Sequence, residues 1–109
     1  MRIQINTDHN IQGNEALAAH VKGVVAYTLS RFSEHITRVE VHLSDQHGHK
    51  PGLEQNRCMM EVRLEGRLPA TVTNDASSLD EAVDGAAEKL KHLLERSLGR
   101  RTDHHTLSK

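Results

Sequence analysis

Residues 77–101 have the sequence SSLDEAVDGAAEKLKHLLERSLGRR, which predicts one long amphipathic helix. Ser78 followed three residues later by Glu81 fits a capping box, in which the serine oxygen accepts from an orphan backbone N–H and the glutamate reaches back. Apolar residues recur at gaps of four and three, which places them on one helix face: Leu79, Val83, Ala86, Leu90 and Leu93. We therefore expect a capped helix that packs this face onto a core.

The charge changes sign along the same segment. Acidic residues crowd its first half and basic residues its second, an order that complements the helix dipole. At about 100° per residue, four basic residues fall within about 80° of each other, namely Lys89, His92, Arg96 and Arg100. This stripe is a candidate surface for an anionic partner. The alternative is a solvated face with i,i+4 pairs, such as Glu88 with His92 and Lys91 with Glu95.

The composition limits which partners and how many domains are possible. The chain has 109 residues, enough for one domain with a core, and a formal net charge of −1, so a nucleic-acid contact would depend on a local patch. Tyr27 and Phe32 are the only aromatic residues. Base stacking on aromatic platforms is therefore not expected.

The remaining segments alternate between strand and helix patterns. Period-two alternation predicts strands at 2–7, 36–44, 57–64 and 68–73. A helical stripe from Glu15 to about Phe32, preceded by Asn14 as a plausible N-cap, predicts a first helix. The polar residues 45–56 are expected to form an exposed loop, and residues 65–67 a tight hairpin turn. Pro69 lacks an N–H, which indicates an edge strand or a strand start.

This order, β-α-β-β-β-α, predicts an α+β fold. Each strand has one apolar face and each helix one apolar stripe, so both helices are expected on the same face of one four-stranded mixed or antiparallel sheet. We expect a single domain at residues 1–101 and a polar tail at 102–109. The open sheet face would carry Arg2, Gln4, Arg38, Glu40, His42, Arg57, Glu61, Arg63 and Thr71.

Nucleophilic catalysis finds no support in the sequence. Cys58, the single cysteine, alternates with core residues, and a buried cysteine behaves as a small hydrophobe. No G-x-S-x-G, P-loop or G-x-G-x-x-G motif is present. Glu40 and Glu61 are surrounded by arginines, which favours ion pairing across strands. We therefore expect no enzyme activity and no catalytic residue.

A metal site is a weaker hypothesis that the histidines suggest. His47 and His49 lie in the predicted loop, near Asp45 and Glu54, but a structural zinc site usually needs four fixed ligands that include thiolates. We expect neither a metal nor a cofactor. The sequence has no signal peptide and no apolar run near the length that spans a bilayer, so the protein is expected in the cytoplasm without a membrane partner.

Binding to structured RNA is the function that remains. Basic residues along a helix can follow a phosphate backbone, which supplies affinity without reading the base sequence. Lys22, on the exposed side of the first helix, could extend that surface. The full candidate set is Lys22, Lys89, Lys91, His92, Arg96, Arg100 and Arg101.

The order of elements and several short motifs resemble the ribosome hibernation promoting factors and ribosome-associated translation inhibitors of bacteria, in their short, single-domain form. The resemblance covers Met1 to about Arg101. Its motifs are Leu17-x-x-His20-Val21, Ile36-Thr37-Arg38-Val39-Glu40-Val41-His42-Leu43, Leu79-x-x-Ala82-Val83-Asp84 and Lys89-Leu90-x-His92-x-Leu94-x-Arg96.

The resemblance implies a fold similar to a double-stranded-RNA-binding domain. It also implies binding to the small ribosomal subunit and its ribosomal RNA, which would silence translation in stationary phase or stress, through basic residues that include Lys89, His92, Arg96 and Arg100. DNA is not an expected partner, and the free protein is expected to be a monomer.

The alternative function is that of a protein–protein interaction module that uses the open sheet face. Its binding would depend on Arg38, Met59 or Arg63.

Overall fold

The computed structural model describes residues 1–8, 11, 13–45 and 56–99. Within them the elements follow the predicted order: β1 (Arg2–Thr7), α1 (Glu15–Thr28), β2 (Ile36–Asp45), β3 (Asn56–Leu64), β4 (Ala70–Ala76) and α2 (Leu79–Leu94). A 3₁₀ segment, Ser30–His35, follows α1, and a π-helical turn, Glu95–Gly99, follows α2. The predicted α+β fold class is confirmed.

The four strands form one mixed sheet in the order β1-β2-β3-β4. β1 pairs with β2 in parallel, an arrangement that needs a crossover, and α1 supplies it. β2–β3 and β3–β4 are antiparallel. In register, Ile5, Val41, Met60 and Val72 cross the sheet on one face. Both helices pack on this face, as predicted.

The core lies between the sheet and the helices. Val39, Val41, Met60 and Val62 in the central strands are fully buried, as are Leu90 and Leu94 of α2 and Val21 and Val25 of α1. Every buried residue in the described part of the chain is apolar. Polar side chains therefore lie outside the core, on the open sheet face, on the outward sides of the helices or at the rim.

The first helix is shorter than predicted. α1 ends at Thr28, and the 3₁₀ segment continues the chain to β2. Such tighter turns are frequent where an α-helix ends. Phe32 lies in this segment and is 4% exposed, so it still joins the core. The apolar spacing predicted its burial correctly, but it could not locate the change in helix type.

The fourth strand is displaced along the chain from its predicted position at 68–73. β4 begins at Ala70 and continues to Ala76, whereas Leu68 is 88% exposed in the connection before it. Pro69 immediately precedes this edge strand, which fits its missing N–H. The predicted hairpin turn is confirmed: Arg67 N–H donates to the Leu64 carbonyl, and Gly66 has a φ of 74°, which favours glycine.

Candidate nucleic-acid interface

The start of α2 is fixed by two serines and a glutamate. Ser78 is the N-cap, and its Oγ accepts a hydrogen bond from the Glu81 N–H at 3.2 Å. The Glu81 carboxylate accepts from the hydroxyls of Ser77 at 2.9 Å and Ser78 at 3.2 Å. The predicted capping box is thus confirmed at the serine, while the glutamate binds hydroxyls rather than the serine backbone. The α-helix begins at Leu79 and ends at Leu94, inside the predicted 77–101.

A close approach holds α2 against β4. Asn74 points toward the helix and donates from Nδ2 to the carbonyls of Glu81 and Ala82, at 3.3 Å each. A Cβ on Gly85 would lie only 2.1 Å from the same nitrogen. Glycine is therefore required at this position while Asn74 keeps these contacts. The result is a fixed rotation of α2 about its own axis.

Contacts identify the two flanks of α2. On one flank the Lys89 ammonium donates to the Thr73 carbonyl of β4 at 2.8 Å. On the other flank, Asp80 lies 3.4 Å from His20 of α1 and Glu95 lies 3.4 Å from Arg31. Because His20 of α1 meets the start of α2, and Arg31 in the 3₁₀ segment after α1 meets Glu95 at the other end of α2, the two helices run parallel.

The flank of α2 nearer β4 is basic. At about 100° per residue, His92 lies about 60° from Lys89 toward the outward side of α2, and Arg96, seven residues after Lys89 in the π-helical turn, lies on the same side as Lys89. All three side chains are exposed. We call Lys89, His92 and Arg96 the basic flank. Arg96 has no hydrogen bond or ion pair within the described part of the chain, so its guanidinium is available to a ligand.

The predicted i,i+4 pairs are only partly present. His92 Nε2 lies 3.9 Å from Glu88 Oε1, a long separation between two exposed side chains. Glu95 contacts Arg31 of the 3₁₀ segment instead of Lys91. An exposed pair of this kind contributes little to stability. The pairing observed on α2 therefore does not account for its basic flank.

The carboxylates of α2 lie on the flank that faces α1 or on the outward side. They are Asp80, Glu81, Asp84 and Glu88 of α2, with Glu95 in the π-helical turn that follows, and Glu81 and Glu88 lie next to His92 around the helix. Lys91 lies about 20° from Asp80 and about 40° from Glu95 around the helix, so it belongs to this acidic side. The structure therefore separates Lys91 from the basic flank with which the sequence grouped it.

Lys22 is also separated from the basic flank. It is exposed, as predicted, but it lies about 160° around α1 from His20. His20 is the residue that faces Asp80 of α2, so Lys22 points away from α2. The two remaining predicted residues, Arg100 and Arg101, lie outside the described residues. Of the predicted set, the structure brings together Lys89, His92 and Arg96.

Arg67 is a candidate that the sequence reasoning missed. It lies in the β3–β4 hairpin, yet its Nη1 donates to Ser97 Oγ at 2.8 Å, beyond the end of α2. This contact places a guanidinium at Ser97, the residue that follows Arg96 in the chain. No local pattern indicates it, because it depends on how the hairpin meets a helix that lies 30 residues further along the chain.

The carboxylates of the open sheet face form ion pairs, but mainly along strands rather than across them. Arg38 pairs with Glu40 on β2, and Arg63 Nη2 lies 3.7 Å from Glu61 Oε1 on β3. Across strands, Arg57 Nε donates to Asp75 Oδ1 at 2.8 Å. This hydrogen bond lowers the pKa of Asp75 and raises that of Arg57.

Other predicted chemistry gives no further site in the described residues. Cys58 is fully buried, and this burial raises its thiol pKa to about 12, so it stays protonated at neutral pH. No three metal-binding side chains cluster within the described ranges, and the loop histidines His47 and His49 lie outside them. Neither described helix has the length and apolar character needed to cross a bilayer.

Comparison with known proteins supplies a family. A family model described as "Sigma 54 modulation protein / S30EA ribosomal protein" matches residues 3–102. That match confirms the resemblance seen in the sequence. A search of curated protein sequences gave no significant match.

Solved structures share the fold. The N-terminal domain of Protein Y from Thermus thermophilus has a TM-score of 0.71 and 24% sequence identity, and the match covers 88% of this chain and 98% of that one. A ribosomal subunit interface protein from Coxiella burnetii has a TM-score of 0.65 and 17% identity, with 89% and 97% covered. At these identities the comparisons establish the architecture.

Proposed function

Because this chain belongs to the sigma 54 modulation protein / S30EA ribosomal protein family, we propose that it binds the small ribosomal subunit and limits translation in stationary phase or stress. Ribosomal RNA would be its direct partner. The protein would act in the cytoplasm, as a monomer when free, without a cofactor and without catalysing a reaction. Its structural neighbours, a Protein Y and a ribosomal subunit interface protein, support such a role.

The observation that carries the proposal is the segregation of charge on α2. Lys89 and Arg96 lie on the flank nearer β4, His92 lies further outward beside Glu88, and Asp80 and Glu95 lie on the opposite flank, where they meet His20 and Arg31. Phosphates are bound by exposed cations without any need for a pocket or aromatic platforms. Arg100 and Arg101 follow the same helix in sequence and would extend this surface. Lys22 and Lys91 point elsewhere, so their contribution is expected to be smaller.

Lys89 has a double role in this proposal. Its ammonium already donates to the Thr73 carbonyl, which covers part of the exposed edge of β4. An ammonium has three donors, so two remain for phosphate oxygens. The hydrogen bond to Thr73 holds the charge at a fixed place beside the edge strand, which reduces the entropy that binding would otherwise cost.

The test compares two charge-reversal variants that change the net charge equally. Lys89→Glu with Arg96→Glu should abolish co-sedimentation with 30S particles, whereas Lys22→Glu with Lys91→Glu should retain most of it. The affinity of the wild-type protein should fall steeply with salt, because phosphate contacts release counterions. Absence of wild-type co-sedimentation with 30S and 70S particles at low salt would refute the proposal.

A further inference from the structure

Three arginines form a row across the open face of the sheet. Arg2 pairs in register with Arg38, and Arg38 lies opposite Arg63. Neighbouring strands are about 4.8 Å apart, so the three side chains leave the same face along one line. Like charges directly opposite each other destabilise a sheet. Strand pairing therefore does not explain why these positions are all arginine, and we call them the arginine row.

Neighbouring carboxylates neutralise the arginine row only in part. Arg38 pairs with Glu40, and Arg63 lies near Glu61, whereas Arg2 has no ion pair with any described residue. The Nε of Arg38 is shielded from solvent and has no hydrogen-bond acceptor. Each guanidinium has five N–H donors, so most donors in the row have no acceptor among the described residues. The row retains both charge and hydrogen-bonding capacity for an anion.

The arginine row lies at the same end of the molecule as the C-terminal end of α2. Ile36, at the start of β2, pairs with Leu64, at the end of β3, and the Glu65 N–H donates to the His35 carbonyl beside them. The hairpin that follows carries Arg67, which donates to Ser97. Guanidinium groups thus lie on the sheet face, in the hairpin and, through the contact of Arg67 with Ser97, at the turn that carries Arg96.

The chemistry of the open face favours a phosphate backbone over a protein partner. Met59 is the single large apolar side chain on this face among the described residues of β1–β4, and it is half-buried. Protein interfaces generally need a desolvated core with aromatic or aliphatic anchors. A phosphate backbone needs only cations, and the fork of an arginine can donate two parallel hydrogen bonds to one phosphate.

We infer that the arginine row, Arg2, Arg38 and Arg63, is a second phosphate-binding surface, through which RNA contacts the open sheet face as well as α2. This inference rests on the proposed function, since it assigns a further surface to the same RNA partner. The bound RNA would follow the arginine end of the molecule, with Arg67 between the two surfaces. Glu40 and Glu61 would weaken this contact, because they compete for the guanidinium groups of Arg38 and Arg63.

The test uses three glutamine substitutions and a control on the same face. Arg2→Gln, Arg38→Gln and Arg63→Gln together should weaken binding to 30S particles by about tenfold or more. The negative slope of log affinity against log salt should become shallower by about 2. Arg57→Gln is the matched control, because Arg57 lies on the same face at the opposite end of β3 and is bound to Asp75. It should change neither the affinity nor the salt slope.

A second pair of variants guards against misfolding as an explanation. Glu40→Gln and Glu61→Gln together should tighten binding and steepen the salt slope, since they free Arg38 and Arg63, and a misfolded protein would not bind more tightly. The inference is overturned if the wild type binds 30S particles, Lys89→Glu with Arg96→Glu abolishes binding, and both sheet-face variants behave like the wild type. That result would leave the proposed function intact. Failure of the wild type to bind would instead refute the proposed function itself.

Discussion

The two helices begin in the same way and differ in how they are held. Asn14 caps α1 by accepting from the Leu17 N–H at 2.8 Å, and Ser78 caps α2 in the same manner. α2, however, buries six of its residues, namely Ala82, Val83, Ala86, Ala87, Leu90 and Leu94, whereas α1 buries Val21 and Val25. Asn74 and Lys89 add polar contacts between α2 and β4.

This difference bears on function because a surface of ordered charges needs a helix with a fixed rotation. α2 is held by its core side and by β4, so Lys89 and Arg96 keep one direction. α1 exposes Tyr27, at 85%, and its Lys22 points away from α2. Candidate RNA-binding charge is therefore concentrated on the helix that is anchored more firmly. Matching substitutions in the two helices test this difference through their effects on the free energy of unfolding.

The largest expected effect is the loss of a core side chain from α2. Leu90 is fully buried beneath this helix, and Leu90→Ala should lower the free energy of unfolding by about 3 kcal/mol, through lost transfer energy and the cavity left behind. Val25→Ala in α1 removes fewer carbons and should cost about 2 kcal/mol. Urea denaturation would measure both. Equal losses would contradict the view that α2 is the more firmly anchored helix.

Gly85→Ala tests the contact between α2 and β4, because its effect on the free energy of unfolding should change sign when Asn74 is removed. Gly85→Ala should lower the free energy of unfolding by about 1–2 kcal/mol, because the new methyl group displaces Asn74 from its hydrogen bonds. In an Asn74→Ala background the same substitution should stabilise the protein by up to about 1 kcal/mol, since alanine favours a helix over glycine. A double-mutant cycle from urea denaturation would measure this, and additive effects would contradict it.

Local patterns in the sequence were sufficient for the elements and their order. Alternation located the first three strands to within one residue, and the caps Asn14 and Ser78 were identified from residue type and spacing. The predicted start of β4 and the predicted end of α1 were wrong, because the same residue spacing occurs both inside the element and just beyond it. Leu68 continues the alternation of β4 but precedes the strand, and Phe32 keeps helical spacing after α1 has ended.

The candidate site was harder to predict because it depends on contacts between distant segments. Helical spacing grouped Lys89, His92 and Arg96, since that relation depends on one continuous helical segment. It could not show which flank of α1 faces α2, and this decides where Lys22 points. Likewise, the alternation placed Arg2, Arg38 and Arg63 on one face, but only the strand register aligns them in a row.

A smaller effect is expected from removing the caps that the two helices share. Ser78→Ala should cost about 1 kcal/mol, because the Glu81 N–H loses its acceptor. Asn14→Ala should lower the free energy of unfolding by a similar amount, because the Leu17 N–H loses its acceptor. The two helices should therefore respond equally to the loss of their caps. Thermal unfolding of both variants, with Ser77→Ala as a control that leaves the cap in place, would measure this. A loss confined to Ser78→Ala would show that α1 does not depend on its cap.

The smallest effect concerns the edge strand that α2 covers, and it should appear as a dependence on pH. The hydrogen bond from Arg57, with the nearby charges of Arg57 and Lys89, lowers the pKa of Asp75. A carboxyl group with a lowered folded-state pKa stabilises the protein above about pH 4, and this contribution disappears as the pH falls through the folded-state value. Asp75→Asn should therefore be less stable than the wild type at pH 6, by about 0.5 kcal/mol for an exposed pair, and equally stable near pH 2. Urea denaturation across this range would measure the difference. If Lys89 of α2 contributes as the structure indicates, Lys89→Gln should narrow that gap, whereas Lys22→Gln on α1 should leave it unchanged.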